Sequence, residues 1–150
     1  MKAGLDTPIG QFWVEADDRA VISAGWGAAP EPAGHPVLVW AVSEIASYFA
    51  GDREVFTVPI RVTAPGLTGR VMQALQDIPF GHTKSYGDLA RELHASAQAV
   101  GQACGANSIP ILVPCHRVIA ASGLGGFSAP GGIETKVALL KHERAASLLI

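Results

Sequence analysis

A thiol, an imidazole and a guanidinium follow one another at Cys115-His116-Arg117, inside an otherwise apolar run that begins at Ile109 and ends at Ile119. A thiolate is a strong nucleophile, whereas a free cysteine thiol, with a pKa around 8.5, is mostly protonated at neutral pH. His116 is the adjacent group that could take its proton. Successive side chains of a regular strand point to opposite faces, so the two can cooperate only if the chain leaves strand geometry at Pro114. Proline fixes its own φ and removes a backbone donor, which suits the end of a strand better than its middle. The same spacing also fits a core cysteine followed by surface His and Arg.

The elements that must hold this run can be read on either side of it. Ser85-Tyr86-Gly87-Asp88 carries an N-cap serine with an acidic residue at the third helical position, so a helix is expected from there with Leu89 and Leu93 inward. A break at His94-Ala95-Ser96 precedes a second helix, Ala97 to Ala106, with Val100 and Cys104 on one side. Two short helices with a brief turn make a helix-turn-helix candidate, although many such hairpins never touch DNA. After the reactive run, Ser122 to Ile133 is rich in glycine but lacks both the Gly-Lys-Ser/Thr ending and the G-x-G-x-x-G entry to a helix, which sets nucleotide binding aside. A last helix, Glu134 to about Ala146, ends in Lys141-His142-Glu143-Arg144. On spacing alone Glu143 is an ordinary solvated helix residue.

Upstream, Gln11 to Ala16 and Ala20 to Trp26 alternate as two strands about an Asp17-Asp18 turn. Pro36 to Ala50 has helical spacing, with Gly51 where a C-cap glycine belongs. Glu54 to Ile60 reads as a third strand. Thr63 to Gly69 reads as a loop, followed by a helix through Val71, Met72, Leu75 and Ile78 that stops before Pro79.

The motif Pro114-Cys115-His116-Arg117-Val118-Ile119, with Asn107 and Ile109-Pro110-Ile111-Leu112-Val113 before it, resembles the signature of the O6-alkylguanine-DNA alkyltransferases, also called methylated-DNA–protein-cysteine methyltransferases. The resemblance runs from about Leu67 to Glu143 and more loosely through the N-terminal half. It implies a DNA-repair protein that moves an alkyl group from guanine O6 irreversibly onto Cys115. It implies a catalytic set of Cys115 as nucleophile, His116 as base, Glu143 to hold the imidazolium, Asn107 to fix the turn beside the cysteine, and Tyr86 to help flip the nucleotide and donate to the guanine. Val118, with a backbone N–H available to the purine, Ser128 and Cys104 would line the substrate pocket. Gln98, Ser96 and Arg117 would face DNA. The implied fold is α/β: residues 1–62 a small antiparallel sheet lobe with a helix, packed on a mostly helical lobe, residues 63–150, that carries the helix-turn-helix.

Counting back from Cys115 places Gln98 where most relatives carry an arginine that fills the gap left by the flipped nucleotide. Between Ser85 and Ser108 the only cation is Arg91, against Asp88 and Glu92. With a formal charge of −2, phosphate attraction is expected to be weak. The alternative is therefore a divergent member that uses the same cysteine on a small alkylated molecule. A non-reactive damage-marking role is disfavoured, because Cys115 is retained.

At 150 residues and 49% hydrophobic composition the chain can bury a substantial core. It has no apolar run long enough for a bilayer and no secretory signal, so a cytoplasmic location, away from membranes, is expected; a monomer is expected as well. Two cysteines make no disulfide framework. No Cys/His grouping has zinc spacing, and neither metal nor cofactor is expected. His35 and His82, beside Pro or Gly in loops, are assigned no role.

Overall fold

Alternation in the N-terminal third does make strands, but one begins earlier than periodicity suggests. In the computed structural model, which describes residues 1–120, 123–125 and 131–145, β1 (Lys2–Thr7), β2 (Gly10–Ala16) and β3 (Val21–Trp26) form an antiparallel sheet in the order β1-β2-β3. Phe12, Val14 and Ala16 point to one buried face, with Ala3 of β1 and Val21 and Ala24 of β3. The β2–β3 turn is held by Asp17, whose carboxylate accepts from the Arg19 and Ala20 backbone N–H groups. Helix α1 (Pro36–Phe49) lies against the sheet through Val37, Leu38, Ala41, Ile45 and Tyr48. His35 caps it, its Nδ1 accepting from the Leu38 N–H.

The expected strand over Glu54 to Ile60 is absent. Only a single parallel bridge, Val21 to Ile60, joins that stretch to the sheet. The buried carboxylate of Glu44 accepts the backbone N–H groups of Thr57 and Val58, both at 2.8 Å. Those are donors a strand would present to a neighbour, and Pro59 has no donor to offer.

Residues Met1–Arg61 form this unit and Val62–Ile150 a second one. The second contains α2 (Gly66–Leu75), a short β4 (Lys84–Ser85), α3 (Tyr86–Leu93), α4 (Ala97–Gly105), a 3-10 turn at Cys115–Arg117, β5 (Val118–Ile119) and α5 (Ile133–His142). Helix α2 starts at Gly66, inside the stretch expected to be loop. Strand β4 pairs in parallel with β5, which brings the segment after the reactive turn beside the start of α3. Helix α4 packs on α2 and α3. The α3–α4 turn is made by His94 in the left-handed region, φ 54°, an uncommon conformation for a residue with a Cβ. The core beneath these helices comprises Val71, Met72, Leu75, Leu89, Val100, Ile109, Val113 and Leu139. Among the described residues no helix is long and apolar enough to cross a membrane.

Candidate active site

The apolar run Ile109 to Ile119 is strand only at its end, Val118–Ile119. It folds back at once: Val113 N–H donates to Ile109 O at 2.9 Å and Leu112 N–H to Pro110 O at 2.9 Å, with Ile111 at φ 71°. A β-branched residue at positive φ costs about 1–3 kcal/mol and persists only where its surroundings over-determine it. Asn107 supplies that determination. Its Nδ2 donates to Val113 O at 2.8 Å and its Oδ1 accepts from Ile109 N–H at 3.0 Å, so one side chain closes the loop at both ends. After Pro114 the chain turns as a 3-10 helix, with Arg117 N–H donating to Pro114 O. The chain is thus out of strand geometry from Ile109, earlier than the departure expected at Pro114, and the 3-10 turn after Pro114 lets Cys115, His116 and Arg117 all be buried together.

His116 is fully buried, and its Nε2 lies 2.8 Å from Glu143 Oε2. Glu143 stands at the C-terminus of α5, itself 1% exposed. Arg117 reaches the same carboxylate twice, Nε to Oε1 at 2.8 Å and Nη2 to Oε2 at 2.9 Å, and donates through Nη1 to Ile78 O at 2.6 Å. Burial would by itself raise the Glu143 carboxyl, but its bonds to His116 and Arg117 outweigh that and hold it well below the usual carboxylate range. Burial lowers the His116 pKa, against the pull of Glu143. Charges balance when Glu143 is ionised, Arg117 is its counter-ion and His116 is neutral. An ionised carboxylate accepts only, so Nε2 must carry the proton and Nδ1 is left as the basic nitrogen. Nδ1 has no hydrogen-bond partner among the described residues.

The Cys115 thiol is raised by burial, with opposing help from the Asn107 amide and the Lys136 ammonium, both of which favour its anion. Cys104, on α4, is pushed up to about 12 by burial and then by Cys115. Tyr86, at the first turn of α3, is fixed by the capping box that Ser85 and Asp88 form. Its phenol is raised by burial, then by the two cysteines, so it remains a neutral donor.

One residue that sequence reasoning missed stands among these groups. Lys136 on α5 is fully buried; its Nζ donates to Val118 O at 2.6 Å and to Tyr86 OH at 3.5 Å. Burial lowers its pKa, while the two cysteines favour its charged form. The available signal was a lysine on the helix face that also carries Leu139 and Leu140, where an unpaired cation would be costly.

The remaining assignments divide. Gln98 and Ser96 are exposed on α4, where Ser96 Oγ accepts from Ala99 N–H as the helix cap. Arg117, expected to face DNA, is instead buried, because Glu143 and Ile78 O occupy its guanidinium. Val118 is buried, but its backbone N–H, expected to be open to a purine, donates to Cys115 O. Ser128 lies outside the described residues. No group of three His, Cys, Asp or Glu side chains among the described residues could hold a metal ion.

Residues 67–145 match the family model described as 6-O-methylguanine DNA methyltransferase, DNA binding domain. The chain belongs to this family. Within the 6-O-methylguanine DNA methyltransferase family, a methylated-DNA–protein-cysteine methyltransferase of Mycolicibacterium paratuberculosis is 37% identical over 158 residues, covering 95% of this chain and 92% of that one. An inducible protein of the same name from Bacillus subtilis is 46% identical over 107 residues, covering 69% of this chain and 59% of its own. The crystal structure of Mycobacterium tuberculosis OGT in complex with DNA superposes with a TM-score of 0.85 at 36% identity, covering 97% of this chain and 95% of that one. The segment matched to the family contains Tyr86, Gln98, Cys104, Asn107, Cys115, His116, Lys136 and Glu143.

Proposed function

We propose that this chain repairs alkylated DNA by moving the alkyl group of O6-alkylguanine onto Cys115, each molecule acting once. The observation that carries the reading is the buried nucleophile, base and carboxylate arrangement, in which Glu143 fixes the His116 tautomer that leaves Nδ1 basic beside the cysteine in sequence. In the resting protein the thiol is protonated. The proton passes to Nδ1 through a bridging water, the sulfur forms a bond to the alkyl carbon, and the bond from that carbon to guanine O6 breaks. The released purine takes up the proton that His116 received, returned through the same water, and leaves as neutral guanine, while Tyr86 donates a hydrogen bond to it. The thioether has no easy leaving group, so the protein does not turn over.

Arg117 changes the role expected for Glu143. With a permanent counter-ion already on the carboxylate, Glu143 acts mainly to orient His116, and it stabilises the imidazolium less than an unshared carboxylate would. Nucleophile, base and orienting group come from one chain, which supports a monomer. The need for a reduced thiol supports the cytoplasm.

Duplex DNA carrying the lesion is the substrate, approached by α4. The face it offers, Ala97, Gln98, Gly101, Gln102 and Gly105, carries no charge. Nearby cations are tied within the fold: Lys84 to Glu92 at 2.5 Å, Arg91 to Asp88, and Arg70 to Leu93 O at 2.5 Å. Gln98 fills the gap left by the flipped base through its amide, which can both donate to and accept from the orphaned partner. Few phosphates are neutralised, so binding weakens only shallowly as salt rises.

The test is intact mass after incubation with a duplex containing O6-methylguanine, with the free methylated base in parallel. A gain of one methyl, mapped to Cys115 and faster from the duplex, is expected. Methylation from the free base alone would instead mean that the same centre serves a small molecule.

A further inference from the structure

The phenol of Tyr86 must be aimed, and the capping box fixes only its backbone. The ring itself lies between two glycines. On one side is Gly101 of α4, where an added Cβ would stand 3.9 Å from Tyr86 Cδ1 and Cε1, ordinary contact distance. On the other is Gly125, where an added Cβ would stand 2.9 Å from Cε2, 3.0 Å from the hydroxyl oxygen and 3.4 Å from Cζ. Real Cβ atoms essentially never approach as closely as the first of these. Gly125 also has φ +72°, a conformation that residues with side chains rarely adopt.

The hydroxyl edge of the ring meets Lys136, whose Nζ lies 3.5 Å from the oxygen and 5.6 Å from the ring centroid. The tyrosine is therefore flanked by two positions without side chains and met at its tip by a buried cation. The two walls are not equivalent. Gly101 leaves room for a methyl group, whereas a side chain at Gly125 would meet the part of the ring that bears the hydroxyl.

We propose that Gly125 is a positioning residue for alkyl transfer: the absence of a side chain there forms the wall that sets where the Tyr86 hydroxyl points. This rests on the reading of Tyr86 as the donor to the purine. Any side chain at Gly125 displaces the ring and moves that hydroxyl away from the leaving base, while the nucleophile, the base and the face of α4 stay as they are.

Single-turnover transfer from methylated duplex would be measured for Gly125→Ala, Tyr86→Phe and the double variant, together with DNA affinity. Gly123→Ala is the control, since an added Cβ there meets nothing within 4 Å. Gly125→Ala should slow the methyl-transfer step by up to about 100-fold, as expected for a misplacement near 1 Å, with DNA affinity unchanged. In the Tyr86→Phe background the same substitution should cost less than about threefold, because no hydroxyl remains to be misplaced. Gly123→Ala should match the parent. Should Gly125→Ala fail to fold, Gly125→Asn tolerates the positive φ better and carries the same Cβ. An equal loss in both backgrounds, or no loss in the parent, would overturn the positioning role. A parental rate in Tyr86→Phe would overturn the role of Tyr86 itself, a separate failure.

Discussion

Two buried carboxylates, Glu44 in the N-terminal unit and Glu143 in the C-terminal one, do different work with similar chemistry. Glu44 accepts from Thr57 N–H, Thr57 Oγ1 at 2.6 Å and Val58 N–H, and pairs with Arg53 at 2.8 Å. Two of those donors are backbone and one is a hydroxyl, so its acceptors are filled by groups that do not titrate near neutrality. Burial would raise its pKa, but these bonds outweigh burial and lower it. Glu143 is also lowered, yet one of its donors is an imidazole whose second nitrogen is unpaired among the described residues. A perturbed carboxylate is therefore not by itself the mark of a site. What distinguishes Glu143 is that it holds a group with a proton site still open, beside a nucleophile.

The largest way to sharpen this contrast is Cys115→Ser. It should abolish methyl gain in the intact-mass experiment and leave DNA binding in place; residual transfer would put the nucleophile elsewhere. Glu143→Gln comes next. The glutamine amide can present N–H to Nε2 and so favour the wrong tautomer, and transfer should slow by about 100-fold, read as the single-turnover rate. A thermal melt should also show a loss of about 3 kcal/mol, because Arg117 is left as a buried, uncompensated charge.

The matching change on the other side is Glu44→Gln, which should cost about 1–3 kcal/mol in urea unfolding and leave the transfer rate of the folded protein unaltered. A slower rate there would break the comparison. Its pH dependence has a defined sign. Glu44 has a folded pKa below its ordinary value of 4.5, so the stability it contributes is complete above that value and is lost as pH falls through the folded pKa. The gap between parent and variant should therefore be full at pH 7 and close in acid.

The transfer rate tests which group takes the thiol proton. His116 titrates below 6.5, so if it is the base the rate should fall in acid through that depressed pKa and be level near pH 7. A rate that instead climbs tenfold per pH unit past pH 8 would mean that the free thiolate attacks unaided. The smallest effect expected is from Gln98→Arg, which should raise duplex affinity severalfold and steepen its salt dependence by about one phosphate, measured by titration at several salt concentrations.

Much of the site was legible because its residues lie close together in the chain. Asn107, Cys115 and His116 fall within ten positions, and Ser85 with Asp88 announces the start of α3 through short-range capping. The N-terminal sheet was legible only in part. Alternation identifies β2 and β3 but not β1, and it reads Glu54 to Ile60 as a strand, because local pattern cannot reveal that Glu44, 13 and 14 residues before Thr57 and Val58, takes their donors. The helix bounds of α1, α3 and α4 were close, whereas α2 began earlier, at Gly66, after Pro65.

By itself the sequence determined the adjacency of a thiol and an imidazole and the uncharged face of α4, consequences of residue type and short spacing, while the roles of Cys115, His116 and Asn107 came from the resemblance of the motif to the family. Only the tertiary structure decided the charge state of the centre. Arg117 and Glu143 lie 26 positions apart, and Lys136 meets Tyr86 across 50. Whether an arginine faces solvent or neutralises a buried carboxylate, and whether a lysine is solvated or donates to Val118 O and a phenol, depends on desolvation and direct contact. Both arise only when α5 is packed against the reactive turn, and no local pattern in the chain encodes them.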